Sequence, residues 1–173
     1  VKAYQRDTYY LLAAERLLTD GPLPHFFAIY LRGTDDVQHG FWKFMEPKLF
    51  PDVTPEQAKA FGKVIERYWQ WIDTSIGILL KHYENTPTFV LAISDHGAGP
   101  AVGEDKVTTP EYLHLSGSHR DTGFLIANGP GVTAGGKLGR SFGSATRCSA
   151  ACNVDTKTSD AHKTNNPHRI LIQ

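Results

Sequence analysis

The sequence predicts an α/β fold in which a mostly parallel β-sheet is flanked by helices. Three short runs, at residues 26–31, 89–93 and 124–127, are almost entirely apolar rather than alternating, which is typical of strands covered on both faces. A long segment with helical periodicity lies between the first two runs. A helix in that position can serve as the crossover that joins two parallel strands.

Length and composition limit the kind of protein that this chain can be. Its 173 residues, 40% of them hydrophobic, suffice for one domain with a sizeable core. The 18 basic residues balance the 18 acidic ones, so no overall charge attracts a nucleic-acid duplex or an anionic membrane. No apolar run approaches the length of a membrane-spanning segment. The location stays open between the cytoplasm and the periplasm or exterior.

Two segments have clear helical patterns. Residues 4–18 carry apolar side chains mainly on one face. In residues 51–84, Thr54 is a predicted N-cap, Pro55 takes the first helical position and Gln57 completes a capping box. The apolar stripe of this second segment predicts a scaffold helix packed on the sheet, and its members are Phe61, Val64, Ile65, Tyr68, Trp69, Ile72, Ile76 and Leu79.

Residues of the type that bind metals follow the first apolar run. Asp35 and His39 are four positions apart, so on a helix their side chains share one face and can bind one ion. In the alternative interpretation, Thr34 or Asp35 caps the helix and His39 is a partly buried neighbour of Phe41 and Trp42.

The second apolar run ends in another such pair, Asp95 and His96, followed by Gly97. Ligands of α/β sheets bind outside the carboxyl ends of the strands, which is where this pair lies. The alternative is a solvated surface turn. Because the arrangement occurs twice, we favour metal binding, and a mixed set of aspartate and histidine selects zinc or manganese over calcium.

The remaining part of the chain has two different characters. Residues 101–118 are polar and predict an excursion over the surface, after which His119 precedes the third apolar run. Residues 140–173 form an atypical tail whose composition is typical of disorder. In the tail, Cys148, Cys152, Asp155 and the histidines offer a zinc site as an alternative, but their spacing is a weak pattern.

Three blocks together resemble the metal-binding blocks of the type I phosphodiesterase/nucleotide pyrophosphatase group in the alkaline phosphatase superfamily. They read "YLRGTDDVQHGFWKF", "FVLAISDHGAGP" and "GSHRDTGFLIANGPGV". The resemblance covers approximately residues 5–135 and implies a partial alkaline-phosphatase-like sandwich. It makes residues 1–139 the C-terminal part of a catalytic domain, whereas residues 140–173 depart from the family.

The resemblance also implies a set of metal ligands. Asp35, His39 and His119 match the residues that hold one zinc ion, and Asp95 and His96 match two ligands of a second ion. The expected cofactors are therefore two divalent ions, zinc with manganese as the alternative. His114 is the rival of His119, but "GSHR" before an apolar strand is the closer match.

The function implied by the resemblance is metal-dependent hydrolysis of phosphodiester or phosphomonoester bonds in a small phosphate ester or nucleotide. The family's hydroxyl nucleophile and one further aspartate are expected upstream of Val1, so we expect a fragment that is weakly active or inactive alone. If this chain proves robustly active, Thr34 and Ser94 are the first hydroxyls to test as its nucleophile. Alternatives are a sulfatase, a phosphoglycerate-mutase-like enzyme, or a non-catalytic metal-binding remnant. The oligomeric state stays open.

Overall fold

A computed structural model of the chain describes residues 2–103, 114–133, 153–154 and 168–172. The chain divides into two compact units: the first contains Val1–Leu11, Leu31–Ile78 and Ala98–Arg120, and the second contains Leu12–Tyr30, Leu79–Gly97 and Asp121–Gln173. The helices are α1 (Lys2–Asp20), α2 (Gly33–Met45), a 3-10 helix (Pro47–Leu49), α3 (Pro55–Phe61) and α4 (Val64–Lys81). The strands are β1 (Phe26–Ile29), β2 (Thr88–Ile93), β3 (Gly97–Pro100), β4 (Gly117–Arg120), β5 (Leu125–Asn128), β6 (Val132–Thr133), β7 (Asn153–Val154) and β8 (His168–Ile172). Across these residues, no helix combines the length and apolar character that a membrane crossing requires.

The second unit contains a four-stranded sheet with the order β1-β8-β2-β5. Strand β8 is parallel to both of its neighbours, with Ile170 aligned to Phe27 of β1 and to Val90 of β2. The buried side chains of this unit come from the sheet and from helical residues, and include Ala14, Leu18, Ile29, Leu79, Ile170 and Ile172. The predicted α/β class with a mostly parallel sheet is therefore confirmed.

Two details of the sheet were not specified by the sequence-based prediction. Strand β5 runs antiparallel to β2, and β8 separates β1 from β2. The Ser94 N–H donates to the Phe124 carbonyl at 2.9 Å, which continues the antiparallel pairing beyond Ile93 and Leu125. Strand β8 lies within residues 140–173, most of which fall outside the described residues, so the atypical character of that tail stays a prediction.

Helix α3 begins as predicted, but the helical segment contains a break that was not predicted. The Gln57 N–H donates to Thr54 Oγ1 and the Thr54 N–H donates to Gln57 Oε1, which completes the capping box. The segment then ends at Phe61 and resumes at Val64. Gly62 lies at the break, where a side chain would come within 2.9 Å of the Phe44 carbonyl oxygen on α2. The break therefore coincides with a close approach between α3 and α2.

A fully buried carboxylate holds the beginning of α2 in the first unit. Asp7, on α1, is 0% exposed and accepts hydrogen bonds from the Gly33 N–H at 2.8 Å and from the Tyr68 hydroxyl at 3.0 Å. Arg6 lies 3.3 Å from the same carboxylate and also pairs with Asp36 at 2.8 Å. The first N–H groups of a helix have no partner within the helix. Asp7 supplies an acceptor for one of these groups, the Gly33 N–H, and its negative charge is favourable at this end of the helix dipole.

Candidate metal centre

The predicted pair Asp35 and His39 lies on one face of α2. The carboxylate oxygen Oδ1 of Asp35 is 3.2 Å from Nε2 of His39, and each side chain is 22% exposed. Because α2 begins at Gly33, directly after the first apolar run, the helix turns both side chains in the same direction. The pair is thus close enough to bind a common ion.

His119 brings a third ligand atom to this pair from β4. Its Nε2 lies 3.3 Å from Asp35 Oδ1 and 2.9 Å from His39 Nε2. The side chain is 55% exposed, so the centre opens to solvent on this side. Among the described residues, Asp35, His39 and His119 are the one group of three or more acidic, histidine or cysteine side chains that could hold a metal ion.

The spacing of these three atoms suits a small divalent ion. Bonds of about 2.0–2.2 Å from zinc to nitrogen or oxygen put neighbouring ligands of a tetrahedral site about 3.3–3.6 Å apart. The observed separations of 2.9, 3.2 and 3.3 Å are close to that range. Two imidazoles and one carboxylate are also a donor set that zinc accepts, with a fourth position left for a water or substrate.

A main-chain contact fixes the orientation of the His39 ring. Its Nδ1 lies 2.7 Å from the carbonyl oxygen of Gly117, and since a carbonyl can only accept, Nδ1 carries the proton. The lone pair of the neutral ring is then on Nε2, the atom that faces Asp35 and His119. Histidines that bind metals commonly donate their other N–H group in this way.

Ser116 holds α2 against the segment that leads into β4. It is 3% exposed, its N–H donates to the His39 carbonyl at 2.7 Å, and its hydroxyl oxygen accepts from the Lys43 N–H at 3.1 Å. The Ser116 hydroxyl also lies within donating distance of the His39 carbonyl, at 3.2 Å. These bonds keep His119, three residues further on, in a defined position relative to His39.

Asp95 and His96 lie in the second unit, after β2. The Asp95 side chain is 70% exposed and its Oδ1 is 3.8 Å from His96 Nε2. The Nδ1–H group of His96 donates to the Gly97 carbonyl at 2.9 Å, which leaves Nε2 as the acceptor atom. Both residues thus keep atoms suited to a metal ion, and their convergence with the other three remains a prediction.

The other residues singled out from the sequence have different surroundings. His114 lies in the turn before β4 and is not part of the three-residue group. The Thr34 hydroxyl is 3.4 Å from the Leu31 carbonyl, and the Ser94 hydroxyl accepts from the Phe124 N–H at 2.8 Å. The use of Ser94 as an acceptor gives it a structural role in joining β2 to β5.

Several residues that support the centre were not identified from the sequence. Asp7 and Tyr68 fix the position of the start of α2. Ser116 and Gly117 contact the helical turn of α2 that contains His39. A glycine immediately before the "SHR" segment was the available signal for Gly117. For Asp7, no sequence pattern distinguishes it from an exposed helical aspartate.

Comparison with known proteins adds a family match. The family described as Type I phosphodiesterase / nucleotide pyrophosphatase matches residues 5–169, a range that includes all five proposed ligands. No curated protein and no solved structure matches the chain.

Proposed function

We infer that this chain, which belongs to the type I phosphodiesterase/nucleotide pyrophosphatase family, is a metal-dependent hydrolase of phosphodiester or phosphomonoester bonds. The family is metal-dependent and its name implies a phosphoester substrate. The observation that carries the proposal is the cluster of Asp35, His39 and His119 around one point. We assign these three residues to one divalent ion, and Asp95 and His96 to a second.

The proposed ions are zinc, with manganese as the alternative, because the ligands mix aspartate and histidine. When bound, such ions polarise a phosphoryl oxygen and lower the pKa of an attacking group. The chain's own residues provide the setting for this chemistry. Asp35 would supply negative charge to the ion, while Gly117 holds the His39 ring so that its Nε2 lone pair faces Asp35 and His119. His119 is more exposed than the other two, so it lies at the side where a substrate can enter.

The proposed substrate is a small phosphate ester or a nucleotide. The resemblance found in the sequence assigns no residue of this chain to the family's hydroxyl nucleophile, so we expect the chain to hydrolyse an activated diester weakly or not at all. Covalent catalysis and metal ions act as a unit, and loss of one member removes most of the rate.

Zinc titration by calorimetry tests the proposal, with His119→Ala compared against His114→Ala. The two histidines lie in the same segment, but only His119 belongs to the three-residue group. We expect His119→Ala to weaken zinc binding by at least about tenfold and His114→Ala to leave it unchanged. Equal losses of zinc affinity in both variants, or no zinc binding by the folded wild type, would overturn the proposed metal centre and the proposed hydrolase activity.

Hydrolysis of bis-p-nitrophenyl phosphate with and without zinc is the second measurement. Zinc-dependent release of p-nitrophenol that disappears in His119→Ala supports the hydrolase. Fast turnover by this chain would show that a nucleophile lies within it, and Thr34→Ala and Ser94→Ala would then be compared first.

A further inference from the structure

The first unit contains a pocket of about 540 Å³ beside α2. A volume of this size is typical of sites for small organic molecules. Its walls combine apolar side chains with a few polar ones: Leu49, Phe50, Val102 and Leu115 are apolar, and Lys43, Asp52, His114 and Ser116 are polar. Such walls suit an organic group that carries a polar substituent.

The pocket is connected to the candidate metal centre through α2. Asp35, His39 and Lys43 are spaced by four residues, so they form one stripe along the helix. Asp35 and His39 belong to the metal centre, whereas Lys43 lines the pocket. The four-residue step corresponds to a rise of about 6 Å along the helix.

Ser116 forms a second connection between the two sites. It lines the pocket, while its N–H donates to the His39 carbonyl and its hydroxyl accepts from the Lys43 N–H. The buried Ser116 therefore belongs to the wall of the pocket and also contacts the backbone of His39, a residue of the metal centre. Ser116 and one turn of α2 thus lie between His39 and the pocket.

The charge of the pocket comes from Lys43 and Asp52. Lys43 Nζ is 3.3 Å from Asp52 Oδ2, but the Asp52 side chain is 67% exposed while that of Lys43 is 28% exposed. An ion pair with a partner this exposed contributes little. The ammonium group can therefore exchange Asp52 for an anionic group of a ligand at low cost, while its stem stays packed against the pocket wall.

We propose that this pocket binds the organic group of a phosphate ester whose phosphate occupies the Asp35–His39–His119 centre, and that Lys43 selects esters with an anionic substituent on that group. The proposal rests on the proposed function and adds to it the location of the organic group and a preference in substrate. Lys43 is thus a specificity residue, and Asp52 competes with the ligand for it.

Binding of non-hydrolysable phosphonates to the zinc-loaded chain tests the proposal. The probes are methylphosphonate, benzylphosphonate and 4-carboxybenzylphosphonate, with affinities measured by calorimetry. We expect benzylphosphonate to bind more tightly than methylphosphonate, and the carboxylated probe to bind about fivefold to tenfold more tightly than benzylphosphonate. Lys43→Met should abolish the advantage of the carboxylate, and Asp52→Asn should enlarge it. The control is Lys59→Met on α3, an exposed lysine outside the pocket, which should change nothing.

The outcomes separate this proposal from the proposed function. Zinc-dependent binding of all three probes with equal affinity, or a carboxylate preference that survives Lys43→Met, would overturn the pocket proposal and leave the metal centre in place. Failure to bind zinc, measured first and without any probe, would overturn both. A carboxylate preference that is lost in Lys43→Met and enlarged in Asp52→Asn supports the proposal, since a misfolded variant cannot give the gain.

Discussion

His39 and Gly117 are joined by a hydrogen bond of 2.7 Å from the Nδ1–H group of the ring to the glycine carbonyl. The two residues are far apart in the sequence, yet this contact sets which nitrogen of His39 carries the proton. It also brings β4 alongside α2, so that His119 lies 2.9 Å from the same ring. The geometry of the centre therefore depends on protein contacts as well as on its ligands.

Gly117→Ala should disrupt this contact. A methyl group at Gly117 would overlap the carbonyl of Gln38 on α2, whereas one at Gly40, on the same helix, would meet nothing within 4 Å. We expect Gly117→Ala to lower the free energy of unfolding by about 1–3 kcal/mol and to weaken zinc binding. Gly40→Ala should raise the free energy of unfolding by about 0.5–1 kcal/mol through helix propensity. Urea denaturation gives the free energy of unfolding and calorimetry gives the zinc affinity. Equal stability of the two variants would contradict the close approach of Gly117 to Gln38.

Ser116→Ala tests the clamp between α2 and β4. The change removes two part-buried hydrogen bonds of the serine hydroxyl, one accepted from the Lys43 N–H and one donated to the His39 carbonyl. We expect a loss of about 1–3 kcal/mol in the free energy of unfolding and weaker zinc binding. Ser75→Ala is the matched control because its hydroxyl donates only along α4, to the Trp71 carbonyl. If both variants kept the wild-type zinc affinity, Ser116 would not position the centre.

Tyr68 predicts a dependence of stability on alkaline pH. Burial, followed by the charge and hydrogen bond of Asp7, raises the pKa of the Tyr68 hydroxyl above its ordinary value of 10.0. In the unfolded chain the phenol ionises near pH 10.0, but in the folded chain it stays protonated. The stabilisation from the protonated hydroxyl is therefore complete below pH 10 and is lost as the pH rises above it.

Tyr68→Phe should remove that dependence. The variant lacks the donor to Asp7 and should be less stable than wild type at pH 8 by about 1–3 kcal/mol. Between pH 10 and 12 its stability should fall less steeply than that of wild type, as measured by urea denaturation at each pH. Identical slopes for both proteins would show that Tyr68 ionises equally in the folded and unfolded states.

Metal stoichiometry is the fourth prediction. Asp35, His39 and His119 provide three ligand atoms, whereas Asp95 and His96 provide two of the second proposed set. We expect calorimetric titration with zinc to give two sites of unequal affinity or a single site. Two tight sites of equal affinity would contradict the assignment. In that case Asp95→Ala should weaken zinc binding as much as His119→Ala does.

The parts of the fold and site that were predictable from the sequence are those determined by local spacing. The four-residue step from Asp35 to His39 and the capping box at Thr54 depend on residues within one helical turn, and both are present. The direction of β5 and the burial of Asp7 depend on partners distant in the chain. Apolar character alone does not distinguish a parallel from an antiparallel edge strand, and an aspartate on α1 carries no local sign of its contacts with Gly33 and Tyr68.

The position of β8 also has a consequence for how the protein folds. Ile170 pairs with Phe27 on one side and Val90 on the other, so β8 lies between two strands that are synthesised much earlier than it is. Neither β1 nor β2 has its parallel partner β8 until the ribosome has released residues 168–172. Pairing over such a separation makes folding slow, because the entropy of closing a long loop must be overcome first. During synthesis, the facing edges of β1 and β2 are exposed to other chains, and a chaperone that covers them would raise the yield of folded protein.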